Sequence, residues 1–168
     1  MLDTKVINLF GGPGTGKSTT AAHLFALMKL KGINCELVTE YAKERVWEDL
    51  HLKNHVAILA EQYTRLWRLQ GKVDYIITDS PLFLLQYYAK DVDGLFLDFS
   101  EELFHSFDNI DVFLNRVKKY NPKGRLQNLK DAKKIDSFFR QFQYDFEVDA
   151  DDKAAEKIYN MICERKGK

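Results

Sequence analysis

Short apolar runs alternate with longer stretches of helical periodicity along almost the whole chain. Val6 to Phe10 is a brief apolar run stopped by glycine, the pattern of a buried first strand. A helix is expected from Lys17 to about Lys31, with Gly32 placed as its C-terminal cap. Ile33 to Thr39 reads as a second strand, and Tyr41 to Leu50 and Asn54 to Gln70 as helices ending before Gly71. Val73 to Asp79 is a third strand, after which Ser80 is expected as an N-cap and Pro81 as a first helical residue. Aromatic-rich helices fill 82 to 108 with a break near Gly94. Ile110 to Val117 is a fourth strand, Tyr144 to Val148 a fifth, and a last helix runs from about Asp152 to Arg165. Strands separated by helices predict a parallel sheet with helices on both faces. No repeat, low-complexity tract or linker divides the chain, so one domain over 1–168 is expected.

Composition narrows the function classes. Hydrophobic residues at 45% and charged residues at 30% are ordinary for a soluble protein. The formal net charge is zero, so electrostatic recognition must come from local clusters. No apolar run approaches the ~20 residues of a membrane span, and the N-terminus does not read as a signal peptide, so a cytoplasmic protein is expected. Cys35 and Cys163 have no metal-ligand spacing and read as reduced packing residues. His23, His51, His55 and His105 form no ligand pattern and receive no role.

The chemistry begins at Gly11-Gly12-Pro13-Gly14-Thr15-Gly16-Lys17-Ser18, which meets the pattern G-x-x-x-x-G-K-[ST] between a strand and a helix. Glycines let successive backbone N–H groups curl around a phosphate, and the helix dipole favours the same anion. ATP contacts are therefore expected from Gly12, Gly14, Thr15, Gly16, Lys17, Ser18 and Thr19. Lys17 is expected at the β- and γ-phosphates and the Ser18 hydroxyl on magnesium. Asp79, ending the third strand, is the expected second magnesium ligand, with helix capping as the alternative.

The Walker A segment, the stretch Val38-Thr39-Glu40-Tyr41-Ala42-Lys43-Glu44-Arg45, the Asp79-Ser80-Pro81 turn and a late basic loop together resemble the small P-loop nucleoside and nucleotide kinases. More narrowly the chain is similar to compact phage and bacterial proteins related to ribosylnicotinamide kinases, among whose phage relatives are kinases of hydroxymethylated uracil in DNA. The resemblance implies a three-layer α/β/α fold with five parallel strands in the order 2-3-1-4-5, in a bacterial or phage-infected cytoplasm. It implies a glutamate base at Glu40, for which Asp79 competes and for which a solvated helix-start acid is the alternative. It also implies a basic lid over about 116–134, where Arg116 and Arg125 would close on the phosphates by bidentate hydrogen bonds. Lysines 118, 119, 123, 130, 133 and 134 would extend that surface toward DNA, or belong to a solvated charged loop beginning a surface helix. Arg45 reads as a surface ion-pair partner rather than a substrate contact. Fold analogy places adenine contacts in the loop Asp149 to Asp152 and the lid helix.

Aromatic side chains crowd the middle of the chain, and Phe83 and Tyr87 stand nearest the presumed acceptor, although core packing is the commoner fate. The resulting expectation is an ATP- and magnesium-dependent kinase acting on a hydroxyl of a nucleoside-type acceptor. That acceptor is a free nucleoside, a nucleotide, ribosylnicotinamide or a hydroxymethylated base in DNA. Three other classes compete. A regulatory GTPase needs an N-K-x-D sequence that is missing here. A ring-forming ATPase normally carries a further helical domain, for which 168 residues leave little room. A nucleotide sensor would bind ATP and phosphorylate nothing.

Overall fold

In the computed structural model, residues 3–47, 54–122 and 127–166 are described. Five parallel strands form one sheet in the order β2-β3-β1-β4-β5, as expected. They are β1 (Lys5–Phe10), β2 (Cys35–Val38), β3 (Tyr75–Thr78), β4 (Asp108–Asn115) and β5 (Phe146–Asp149). The helices are α1 (Lys17–Leu30), α2 (Tyr41–Trp47), α3 (His55–Trp67), α4 (Leu85–Tyr88), α5 (Gly94–His105), α6 (Leu129–Phe139) and α7 (Ala154–Lys166).

Alternation along the strands builds two cores. Ile7 and Leu9 of β1, Tyr75 and Ile77 of β3, and Val112 and Leu114 of β4 face α1 and α7, where Leu24, Met28 and Ile158 meet them. Val6 and Phe10, Ile76, and Phe113 face the other way, against Leu59, Leu66, Phe83, Phe104, Ile135 and Phe139. Strands buried on both faces are what a doubly covered parallel sheet requires. The aromatic residues of the middle segment mostly join this second core. Phe10 packs edge-on to Phe83 and Phe104 with centroids 6.3 Å away in each case.

One local expectation is corrected. Ser80 is not a helix N-cap. Its N–H binds the Thr78 hydroxyl at 3.1 Å, and Pro81, at φ −53° and ψ 141°, precedes a 3-10 turn over Leu82–Leu84. Extended backbone at a proline followed by a tight turn satisfies the Leu84 N–H through the Pro81 carbonyl at 3.0 Å. The basic stretch runs on into a helix. From Leu129 it forms α6, capped by Asn128, whose side-chain Oδ1 accepts from the Asp131 N–H at 3.0 Å. Ala132, Ile135 and Phe139 bury one stripe of that helix against the sheet.

At the end of the sheet remote from the glycines, the buried Asn8 amide donates to Asn109 Oδ1 at 2.8 Å and to Asp111 Oδ1 at 2.9 Å. Burial, only partly offset by that hydrogen bond, pushes the Asp111 carboxyl up to about 6. The folded chain thus keeps this proton where the unfolded chain, titrating near 3.8, has released it. Stability is lost as pH rises from about 4 to about 6, by on the order of 2 kcal/mol. Asp111→Asn, which keeps an acceptor for Asn8, should gain stability over the parent between pH 4 and 6.5 in calorimetric scans. A pH-independent difference between the two proteins would contradict this assignment.

Candidate functional site

The glycine segment lies where β1 ends and α1 begins. Gly11, Gly14 and Gly16 have φ of 136°, 74° and 124°, values that side-chain-bearing residues rarely adopt. The first turn of α1 contains no acidic residue, so its N-terminal field is unopposed. Lys17 folds back over the loop and donates to the Gly11 carbonyl at 2.7 Å and the Gly12 carbonyl at 3.4 Å. Burial lowers the pKa of its amine, and the carboxylates of Glu40, Asp79 and Asp136 counteract that. A buried cation held only by carbonyls is poised for an anion.

A cavity of about 500 Å³ opens beside this loop. Gly14, Gly16, Lys17, Ser18 and Thr19 line it. Gly12 and Thr15 are not among its lining residues. Both sit in a tight turn in which the Thr15 N–H and hydroxyl bind the Gly12 carbonyl, at 3.2 and 2.6 Å. The Gly12 N–H donates instead to Asp136 Oδ1 at 2.6 Å. Gly12 is required by crowding: a Cβ there would lie 2.5 Å from the Ala132 carbonyl oxygen of α6.

Asp136 is the principal residue that the sequence reading passed over. Its carboxylate also accepts from Arg116 Nε at 2.8 Å and Nη2 at 3.2 Å. Arg116 Nη2 donates in turn to the Pro13 carbonyl at 2.9 Å and to Thr15 Oγ1 at 3.1 Å. Arg116, expected as a lid residue over the phosphates, is therefore a strut between α6 and the loop and does not line the cavity. The reason is geometric: it follows β4 directly, where the strand end points at the loop. Arg125 lies outside the described residues. Lysines 118, 119, 130, 133 and 134 are exposed, and Lys134 lies 3.6 Å from Asp131. The signal for Asp136 was an acid inside the apolar stripe of α6, one residue after Ile135.

Glu40 and Asp79 are placed as the strand pattern predicted, at the carboxyl ends of neighbouring strands. Glu40 lines the cavity, and burial raises its pKa, with Lys17 opposing and Asp79 reinforcing the shift. Gln62 of α3, only 4% exposed, brackets Glu40 by accepting from the Tyr41 N–H at 3.0 Å and donating to the Thr39 carbonyl at 3.4 Å. A glutamine between Leu59 and Leu66 in a buried stripe was the readable clue. Asp79 is 2% exposed, and its Oδ1 is buried with no hydrogen-bond partner. An orphaned carboxylate oxygen beside a phosphate loop fits a cation. Among the described residues no cluster of three His, Cys, Asp or Glu forms a metal cage. The cation would thus need ligands from Asp79, Ser18 and the bound phosphates together.

The remaining wall comes from α2, α3 and the segment after β3. Tyr88 and His55 line it, whereas Phe83 and Tyr87, singled out from the sequence, pack into the core. Arg45 does not line the cavity; it donates to the Tyr41 hydroxyl at 3.1 Å. Glu44 is held bidentately by Arg65 at 2.6 and 2.7 Å, which fixes α2 on α3. The proposed adenine loop begins where β5 ends, with Ala150 Cβ 3.4 Å from where a Gly16 Cβ would stand. Among the described residues no helix is long and apolar enough to cross a membrane.

Three solved structures share this architecture. Mycobacterium tuberculosis APS kinase CysC in complex with AMPPNP and APS is 16% identical with a TM-score of 0.53, over 95% of this chain and 97% of that one. A cysteine-to-alanine variant of the same kinase gives 17% identity and a TM-score of 0.51, over 95% and 97%. APE1195 gives 13% and 0.52, over 97% of this chain and 96% of that one. At these identities the likeness establishes the fold. A search of curated protein sequences finds no match. A family model described as an AAA domain matches residues 6–150, most of the chain, and the protein is therefore a member of that AAA-domain family, built with the strand order of the P-loop kinases.

Proposed function

We propose that this protein is an ATP-dependent kinase that transfers the γ-phosphate to a hydroxyl of a nucleoside-type acceptor. The observation that carries the reading is one cavity shared by the loop residues Gly14 to Thr19 and by Glu40. A phosphate cradle and a carboxylate facing the same space are what in-line transfer to an alcohol needs. The APS kinase neighbour was solved with AMPPNP, which supports a nucleotide on the same loop.

In this mechanism the loop N–H groups and the α1 terminus hold the phosphates. Lys17 leaves its carbonyl partners for the phosphate oxygens and neutralises charge that develops on the transferring group. Asp79 and Ser18 would hold a magnesium ion, which would supply charge neutralisation for the phosphates. Glu40 receives the acceptor's proton; its raised pKa makes it a better base than an exposed carboxylate. Gln62 keeps that carboxylate aimed by fixing the backbone on both sides. The exposed lysines 118, 119, 130, 133 and 134 form the surface for a longer anion, so a hydroxymethylated pyrimidine in DNA belongs among the acceptors tested.

The test is transfer of label from γ-labelled ATP with magnesium into nucleosides, nucleoside monophosphates, ribosylnicotinamide, plain duplex DNA and DNA containing hydroxymethyluracil. Label in an acceptor is expected. Phosphate release with every acceptor unlabelled would refute the kinase reading in favour of an ATPase.

A further inference from the structure

The cavity wall contributed by α2, α3 and the turn after β3 differs in chemistry from the phosphate loop. Val46, Ile58, Leu84, Leu85 and the ring of Tyr88 give it an apolar surface. His55 stands among them, and its Nδ1 is buried with no hydrogen-bond partner. Buried ring nitrogens are nearly always satisfied, so an orphan facing a cavity marks a missing partner. Outside the loop, the cation among the described lining residues, apart from the imidazole, is Lys43. Glu40 faces the same space, and Asp79 is close enough to raise its pKa. Among the described lining residues no arginine fork stands ready for a phosphomonoester, which would meet two carboxyl groups here.

Building on the kinase reading, we propose that this wall binds the acceptor as an uncharged planar ring, with His55 Nδ1 hydrogen-bonded to the ring's polar edge. The hydroxyl-bearing unit that enters carries no phosphomonoester of its own, whether it is a free nucleoside or the same ring within a DNA strand. The apolar residues and Tyr88 cover the ring faces. An imidazole Nδ1 donates or accepts according to tautomer, so it matches either an N–H or a carbonyl on that edge. His55 is thus a specificity-determining residue, separate from the groups that handle phosphate.

The experiment compares the parent, His55→Ala and His55→Asn in the labelled-ATP assay. Acceptors are nucleosides, their 5′-monophosphates and an oligonucleotide containing the preferred ring. The parent should favour the uncharged ring over its monophosphate by about a hundredfold in kcat/KM. His55→Ala should raise the acceptor KM about tenfold with the ATP KM unchanged. His55→Asn, whose amide falls near the Nδ1 position, should recover most of that loss. Label in the nucleoside or only in the oligonucleotide distinguishes the free ring from the polymer, and either supports the assignment. Preference for the monophosphate, or an acceptor KM indifferent to His55→Ala, overturns it. Label in no acceptor overturns the kinase reading instead. The pocket is then judged by equilibrium binding of labelled nucleosides to protein saturated with AMPPNP. Binding weakened by His55→Ala supports the assignment, and binding that is absent or equal in both proteins overturns it.

Discussion

Lys17→Ala is expected to lower phosphoryl transfer by roughly a hundred- to a thousandfold while leaving the thermal unfolding of the protein within a few degrees of the parent. The split between activity and stability follows from where the amine lies. It is buried, and burial lowers its pKa, so the folded protein gains little from holding that charge. Its hydrogen-bond partners are the carbonyls of Gly11 and Gly12, at 2.7 and 3.4 Å. A phosphate oxygen is a far better partner than a carbonyl, so the interaction strengthens as negative charge builds on the transferring group. Transfer is read with γ-labelled ATP and stability by calorimetry. An unchanged transfer rate would remove the mechanism proposed here. A large fall in unfolding temperature would instead show that Lys17 is a structural post.

Asp136→Ala is expected to cost about 3 kcal/mol of unfolding free energy, as is Arg116→Ala. The two side chains are only 16% and 11% exposed, and each would leave the other buried and uncompensated. Asp136 also holds the Gly12 N–H, so its loss frees the loop as well as the arginine. The double variant should therefore be less destabilised than the sum of the two single variants, by 1 kcal/mol or more. Urea unfolding of the four proteins measures this directly. Strictly additive effects would mean that the pair contributes independently and that α6 does not brace the loop through it.

Most of the sheet could be read in advance, because β1 and β3 are short apolar runs and the other strands centre on apolar residues. The run Tyr75 to Thr78 and the glycines at 11, 14 and 16 carry local signals that tertiary contacts reinforce. Glu40 and Asp79 were found for the same reason: a strand's end is visible in sequence, and parallel strands deliver their ends to one edge. What could not be read depends on which surfaces meet. Arg116 looked like a phosphate ligand because its charge and its place after β4 suit one, but its partner is 20 residues further along the chain. Asp136 was passed over because the charge run ahead of it drew attention to a lid. Gln62 and His55 are single polar residues on helices, and only packing shows that one clamps Glu40 while the other faces the cavity. Tyr88 and Tyr87 are neighbours, and the rotation of about 100° that sends one to the cavity and the other to the core is fixed by the short α4 helix.

The Arg116–Asp136 contact also closes a circuit in the chain. The chain leaves the sheet after Arg116, and Asp136 on α6 brings it back to that residue. The entropy of closing such an excursion grows only with the logarithm of its length, about 0.6 kcal/mol for each doubling. Insertions or deletions between Val117 and Gln127 would therefore leave the phosphate loop and the strand order nearly untouched, provided both anchors remain. Across a lineage, this is the stretch where length can drift most freely and where a new macromolecular contact can be added without refolding the catalytic end of the sheet.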